Sequence, residues 1–289
     1  MGKIVANGIR THFQRMPARC ADARSAPTVV FIHGLGTDSL ASFYLTLAAP
    51  VAAAGINMIA YDLRGHGRTD RPATGYRVGD FVDDLAALLD ELDVEGPVHL
   101  VGNSFGGTVA FSYALAHPHR VASIISIEAE PATEGWGSRM SQLLRYLAHE
   151  MTKESTFADI EAKSGAHHAK LARNAADKFH TTSIVDDLPT GPLMSVPELM
   201  SIRCPVMSVL GSEGLQAGDP HLLGSVLHNC RTVILQGQDH SVLVDAHRRV
   251  RELLIPWVLG MHSEIPWLYE AAEAAALGTA PAVLADNVA

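Results

Sequence analysis

Val98-His99-Leu100-Val101-Gly102-Asn103-Ser104-Phe105-Gly106-Gly107 decides how the rest of the chain is read. A mostly apolar run of strand-forming residues ends at Gly102 and a helical run opens at Phe105, so Ser104 stands in a turn between strand and helix. A turn that sharp holds the serine in a strained backbone conformation, and side chains at 102 or 106 would collide with neighbouring backbone. The arrangement predicts a hydroxyl raised above the carboxyl edge of a sheet. A Gly-x-Ser-x-Gly string can occur in any glycine-rich turn; its place between strand and helix gives it chemical meaning.

The alternation extends in both directions. Val29-Val30-Phe31-Ile32, Met58-Ile59-Ala60-Tyr61, Ser123-Ile124-Ile125-Ser126-Ile127, Val206-Met207-Ser208-Val209-Leu210 and Thr232-Val233-Ile234-Leu235 are short apolar runs. They are continuous rather than alternating, the pattern of strands buried on both faces. Helical stretches over 40–54, 80–93, 105–116, 219–228 and 242–259 separate them, which predicts a mostly parallel, doubly wound α/β sheet. The opening segment to about residue 16 reads as an antiparallel hairpin. About 75 residues separate the strand ending at 127 from the one beginning near 205, far more than an ordinary crossover needs. The expected organisation is a core of residues 1–130 and 201–262, a helical cap over 131–200, and a helical tail over 263–289. Trp136, Met140, Leu143, Leu144, Leu147 and Met151 recur at helical spacing in the cap. Docking on the core is the expected role for most of them, with Trp136 and Met140 the candidates for touching substrate.

Composition limits the partners. The chain has 289 residues, 47% of them hydrophobic and 18% charged, enough apolar material for a sheet covered on both faces. Its net charge of −9 comes without any basic cluster, so nucleic acid is not an expected partner. The amino terminus lacks the apolar run of a signal peptide, and no segment approaches the roughly 18 apolar residues of a membrane span. A cytoplasmic location and no membrane partner are therefore expected. Cys20, Cys204 and Cys230 fit neither a disulfide framework nor a zinc site and are read as reduced. His167, His168 and His180 have no cysteine or carboxylate at ligand spacing and are expected on the cap's exposed face. No metal and no cofactor are expected.

An attacked carbonyl gathers negative charge on oxygen and needs two waiting N–H donors. Phe105 N–H, at the helix N-terminus, is one candidate. Leu35 N–H, in the turn His33-Gly34-Leu35-Gly36 after the first parallel strand, is the other. His33 is expected to brace that turn rather than to react.

Taken together, His33-Gly34, Asp62-Leu63-Arg64-Gly65-His66-Gly67, Gly102-Asn103-Ser104-Phe105-Gly106-Gly107 and Asp239-His240-Ser241 resemble, in kind and order, the motifs of α/β-hydrolases over roughly residues 4–260. The resemblance implies an eight-stranded sheet with the cap between its sixth and seventh strands. It also implies a nucleophilic serine, a histidine after the last strand, and a structural role for the turn containing His66. His240 follows the run 232–235 in a loop able to return its ring to the strand tops, where the neutral form takes the Ser104 proton. His247 falls inside the following helix.

The acid departs from the common family pattern, which puts an aspartate three residues beyond the glycine ending the strand before the last. That glycine is Gly211, and the position is Gly214. Two carboxylates compete for the role. Glu213 is adjacent but one residue out of step. Glu128 follows Ile127 at a strand end, where a buried carboxylate needs a partner such as the imidazole. Glu128 is preferred, with Glu130 and Asp219 as outsiders. The acid after the sixth strand resembles haloalkane dehalogenases, zearalenone-lactonase-like enzymes and polyketide-releasing thioesterases.

The expected function is cleavage of an ester, lactone or thioester of a hydrophobic small molecule through an acyl-enzyme on Ser104. A homodimer stays open as the assembly. The alternatives are a carbon–carbon bond hydrolase of ring-cleavage products and a ligand receptor of the same fold with little turnover. Ser rather than Asp at 104 argues against dehalogenase and epoxide-hydrolase chemistry, which uses an alkylated carboxylate.

Overall fold

Continuous apolar runs become strands where both faces find cover, and in the structure all of them do except the last, whose strand stands at the sheet edge half-buried. The structure is a computed structural model that describes residues 2–214 and 222–262. Its strands are β1 (Gly2–Ala6), β2 (Ile9–Met16), β3 (Thr28–Ile32), β4 (Asn57–Tyr61), β5 (Val98–Asn103), β6 (Val121–Ile127), β7 (Val206–Gly211) and β8 (Cys230–Leu235). They form one sheet in the order β1-β2-β4-β3-β5-β6-β7-β8. The β1–β2 hairpin is antiparallel and joins β4 antiparallel, while every pair from β4 to β8 is parallel.

The principal helices are α1 (Val78–Glu91), α2 (Phe105–Ala116), α3 (Glu134–Glu150), α4 (Glu154–Ser164), α5 (Ala166–Thr181) and α6 (His247–Val258). Side chains alternate across the strands and so feed two cores. Val30, Ile32, Leu100 and Ile124 face α1 and α2 with Phe81, Leu85 and Val109. Val29, Phe31, Val101 and Ile125 face the helical run 41–53 and α6 with Phe43, Val51, Leu253 and Trp257.

Three boundaries differ from the sequence reading. The helix expected over 80–93 starts at Val78, because the Asp80 carboxylate accepts the Arg77 N–H and caps the first turn, and it stops at Glu91, two residues before Asp93 at φ 54°. The run 41–53 holds a π-helical turn, Tyr44–Ala48. The stretch 242–259 is two helices, Val242–Asp245 and α6, interrupted at Ala246. Of the helix expected over 219–228, Leu222–Val226 is helical, and the tail over 263–289 lies outside the described residues.

The long segment between β6 and β7 folds as helices, α3 to α5 and shorter turns, over the carboxyl ends of the strands. It is tied to the segment 71–78 by Ser183 N–H to Ala73 O (2.8 Å), Val78 N–H to Gly191 O (3.0 Å) and Tyr76 N–H to Asp187 (3.1 Å). No helix among the described residues is long and apolar enough to cross a membrane.

Candidate active site

The turn at the end of β5 holds Ser104 at φ 51°, ψ −122°, a strained conformation that the sheet enforces: Ser104 N–H donates to Ile127 O on β6 at 2.8 Å. A Cβ at Gly106 would lie 2.0 Å from Ile32 O, and one at Gly102 would lie 2.3 Å from Gly107 N. Both glycines are therefore fixed by close approach of backbone, as the sequence pattern required.

His240 lies past β8 with its ring between two partners. Nδ1 is 3.1 Å from Glu128 Oε2 and Nε2 is 3.1 Å from Ser104 Oγ. A carboxylate only accepts, so Nδ1 carries the proton and Nε2 offers its lone pair to the serine hydroxyl. The Glu128 side chain has no exposed surface, whereas the His240 side chain is 38% exposed. Glu128 Oε1 takes the Gly211 N–H at 2.5 Å, which satisfies the oxygen that His240 does not use. Glu128 adopts φ +49°, a left-handed conformation costing on the order of 1 kcal/mol for a side chain of this kind. Its backbone N–H, bonded to Val209 O at 2.9 Å, holds that conformation at the strand end.

The structure brings Glu128, and not Glu213, to the histidine. Glu213 is exposed; its backbone N–H donates to Gln238 O at 2.9 Å, and among the described residues its carboxylate has no partner. Gly214 explains the departure from the family pattern. A Cβ there would sit 2.3 Å from Glu128 Oε2, so the carboxylate from β6 occupies the space that a side chain at 214 would use. Glu130 is paired with Arg139 and does not reach the ring, and Asp219 lies outside the described residues.

The turn after β3 lies against the nucleophile: a Cβ at Gly34 would be 3.4 Å from the Ser104 Cβ. Three bonds fix it. Gly34 N–H donates to Asp38 Oδ2 (2.7 Å), His33 Nδ1 donates to Gly34 O (2.7 Å), and Leu63 N–H donates to His33 Nε2 (3.0 Å). His33 therefore holds one neutral tautomer, and burial pushes its pKa down, which keeps it neutral. Gly34 C=O and Leu35 N–H belong to one trans peptide and point in opposite directions. Tying the carbonyl back to His33 thus turns Leu35 N–H outward, and no acceptor among the described residues takes it or Phe105 N–H. His66 is likewise buried and structural, with Nδ1 donating to Arg64 O at 2.8 Å. His167, His168 and His180 are exposed, and no three His, Cys, Asp or Glu side chains among the described residues converge as metal ligands.

Between cap and core lies a cavity of about 450 Å³ lined by Ser104, His240, Leu35 and Phe105 on the core side. Trp136, Met140, Leu143, Leu144 and Leu147 line it from α3. Trp136, Met140, Leu144 and Leu147 also pack against the core, so the docking role expected for most of the stripe holds, and lining the cavity is a second role for five of its six residues. Met151 is the one of the six outside the cavity lining, and it packs against the hydrophobic cores. Trp136 does both, 6% exposed and stacked 6.4 Å from the Phe105 ring. Periodicity identified the face and not what it covers. Phe179 and Arg139 also line the cavity, and Asp38 braces its turn; no local pattern in the sequence singles them out.

Residues 27–256 match the family model described as the alpha/beta hydrolase fold. The chain belongs to the α/β-hydrolase fold family. Among its relatives, a non-heme chloroperoxidase from Streptomyces lividans is 39% identical over 110 residues, 37% of this chain and 38% of that protein. A 2-hydroxymuconate semialdehyde hydrolase from Pseudomonas sp. (strain CF600) is 35% identical over 144 residues, 47% of this chain and 48% of the relative. These matches span half or less of the relatives' lengths. This α/β-hydrolase also shares its fold with the enol-lactonase from Burkholderia xenovorans LB400, at TM-score 0.67 and 19% identity over 89% of this chain and 100% of the other. The carboxylesterase CesB from Bacillus subtilis gives TM-score 0.69 and 19% identity, covering 90% of this chain and 91% of the other.

Proposed function

We propose that this α/β-hydrolase is a serine hydrolase that cleaves a carboxylic ester, lactone or thioester of a hydrophobic small molecule. The observation that carries the reading is the unbroken hydrogen-bonded line Glu128–His240–Ser104, ending beside two free N–H groups in an apolar cavity. In the proposed reaction Ser104 Oγ bonds to the substrate carbonyl carbon while His240 Nε2 takes its proton. The carbonyl oxygen becomes anionic and is held by Leu35 and Phe105 N–H. The carbon–oxygen or carbon–sulfur bond then breaks, and the leaving group takes the proton from His240. Water, deprotonated by the same nitrogen, attacks the acyl-enzyme, and Ser104 recovers its proton. Glu128 stabilises the imidazolium in both halves without itself being protonated.

A fluorophosphonate probe tests this directly. Wild-type protein is expected to be labelled covalently at Ser104 and to hydrolyse a short p-nitrophenyl ester, while Ser104→Ala does neither. Labelling of Ser104→Ala at the wild-type rate would sink the assignment, and labelling without ester turnover would favour a receptor. Carbon–carbon bond hydrolysis is the second reading, favoured by the 35% likeness to the semialdehyde hydrolase over 144 residues. Turnover of a ring-cleavage dienoate above that of any ester would install it.

A further inference from the structure

The oxyanion turn has one anchor that does not come from the core. Lys178 stands on α5 in the cap, 2% exposed, and its Nζ donates to Gly36 O at 2.9 Å. Its neighbour Phe179 lines the catalytic cavity, so consecutive residues reach the two sides of the same turn. Gly36 lines both that cavity and a second one of about 450 Å³ behind the turn, whose walls include Asp38, Arg71 and Lys178. Behind Gly36, then, there is space and not packed core. His33 and Asp38 hold the turn at Gly34, and nothing else among the described residues bonds the Gly36 carbonyl.

We propose that Lys178 is a positioning residue for the reaction: its bond to Gly36 O, added to the core bonds at Gly34, holds the Leu35 N–H donor fully in line only when the cap is seated. The inference rests on the acyl-enzyme reading of Ser104. A buried amine is a poor choice for packing, since an apolar side chain of the same length would fill the space without desolvating a polar group. Burial pushes the lysine's pKa down to about 6, so at neutral pH it is an uncharged amine that still has an N–H for Gly36. Loss of that donor frees the Gly36–Thr37 peptide to swing into the rear cavity; Leu35, anchored on its other side by the His33 bond to Gly34 O, loses its second anchor, and its N–H drifts from the line needed at the oxyanion. Since one whole oxyanion donor is worth roughly 100- to 1,000-fold in turnover, partial misalignment of one corresponds to about tenfold.

The test compares wild type, Lys178→Met and Lys178→Gln by the second-order rate of fluorophosphonate labelling at Ser104, with kcat and KM on a short ester and Tm alongside. The expected result for Lys178→Met is labelling and kcat about tenfold slower, KM unchanged and Tm not lowered. Lys178→Gln, a neutral side chain that keeps an N–H one atom short of the lysine's reach, is expected to restore part of the rate. Equal labelling of wild type and Lys178→Met overturns the inference while leaving the acyl-enzyme intact. So does a slow Lys178→Met whose Tm falls in step and which Lys178→Gln does not rescue, because that is a purely structural role. Failure of the wild-type protein to label defeats the acyl-enzyme reading, and this inference with it.

Discussion

At the scale of single residues, Lys178 sets stability and readiness against each other. Its pKa falls from 10.5 to about 6, first through burial and then through Arg71, with Asp38 pulling weakly the other way. Between those two values the unfolded chain holds a proton at this amine that the folded chain has released. Folding therefore expels a proton in that window, and this residue's contribution to stability rises with pH by about 1.4 kcal/mol per unit. Lys178→Met has no such group, so its stability advantage over wild type should shrink by about 2 kcal/mol between pH 6.5 and 8.5 in urea unfolding. An advantage independent of pH would mean that Lys178 keeps its charge in the folded protein. Glu128 makes a comparable trade, since its left-handed φ and loss of solvent are offset by bonds to His240 and Gly211.

Where elements meet, β6 and the β7–β8 connection compete for one volume beside His240. The Glu128 carboxylate fills it, and Gly214 must stay bare for that reason. Gly214→Asp alone is expected to overpack the site at about 1–3 kcal/mol and to lower activity. Glu128→Gly alone removes the acid and should reduce kcat by about 1,000- to 10,000-fold. The double variant puts the carboxylate where the common family pattern has it, and glycine takes φ +49° without strain. At least about tenfold recovery over Glu128→Gly is expected in kcat. No recovery would show that the 214 loop cannot aim a carboxylate at the ring.

For the whole molecule, the substrate cavity belongs to neither layer alone. The core supplies Ser104, His240 and the oxyanion turn, and α3 supplies the apolar wall, from Trp136 at the buried end to Leu143, which is 44% exposed. Acyl length should therefore be set by the cap. Leu147→Trp, at the end of that wall farthest along α3 from Trp136, is expected to lower kcat/KM for long-chain p-nitrophenyl esters by about tenfold while leaving the acetate ester within twofold, the scale of a few lost methylene contacts. A uniform loss across chain lengths would move the acyl group to another part of the cavity.

What could be read without coordinates came from short-range signals. Ser104 sits between Val98-His99-Leu100-Val101 and the α2 run, and strand, turn and helix signals within ten residues fix its backbone. The two-sided burial of β3 to β7 followed from continuous apolar runs, whereas the edge strand β8 buries fully only Val233; His240 followed from its place after the last run. The remainder depends on pairs far apart in the chain. Glu128 meets His240 across 112 residues and Lys178 meets Gly36 across 142. Which of Glu128 and Glu213 faces the ring, and which face of α3 meets substrate, were decided by the path of loops and the seating of the cap. Spacing favoured Glu128 and marked the apolar face of α3 but settled neither, because a side chain's direction at a strand end turns on one backbone angle that only the packed neighbours select.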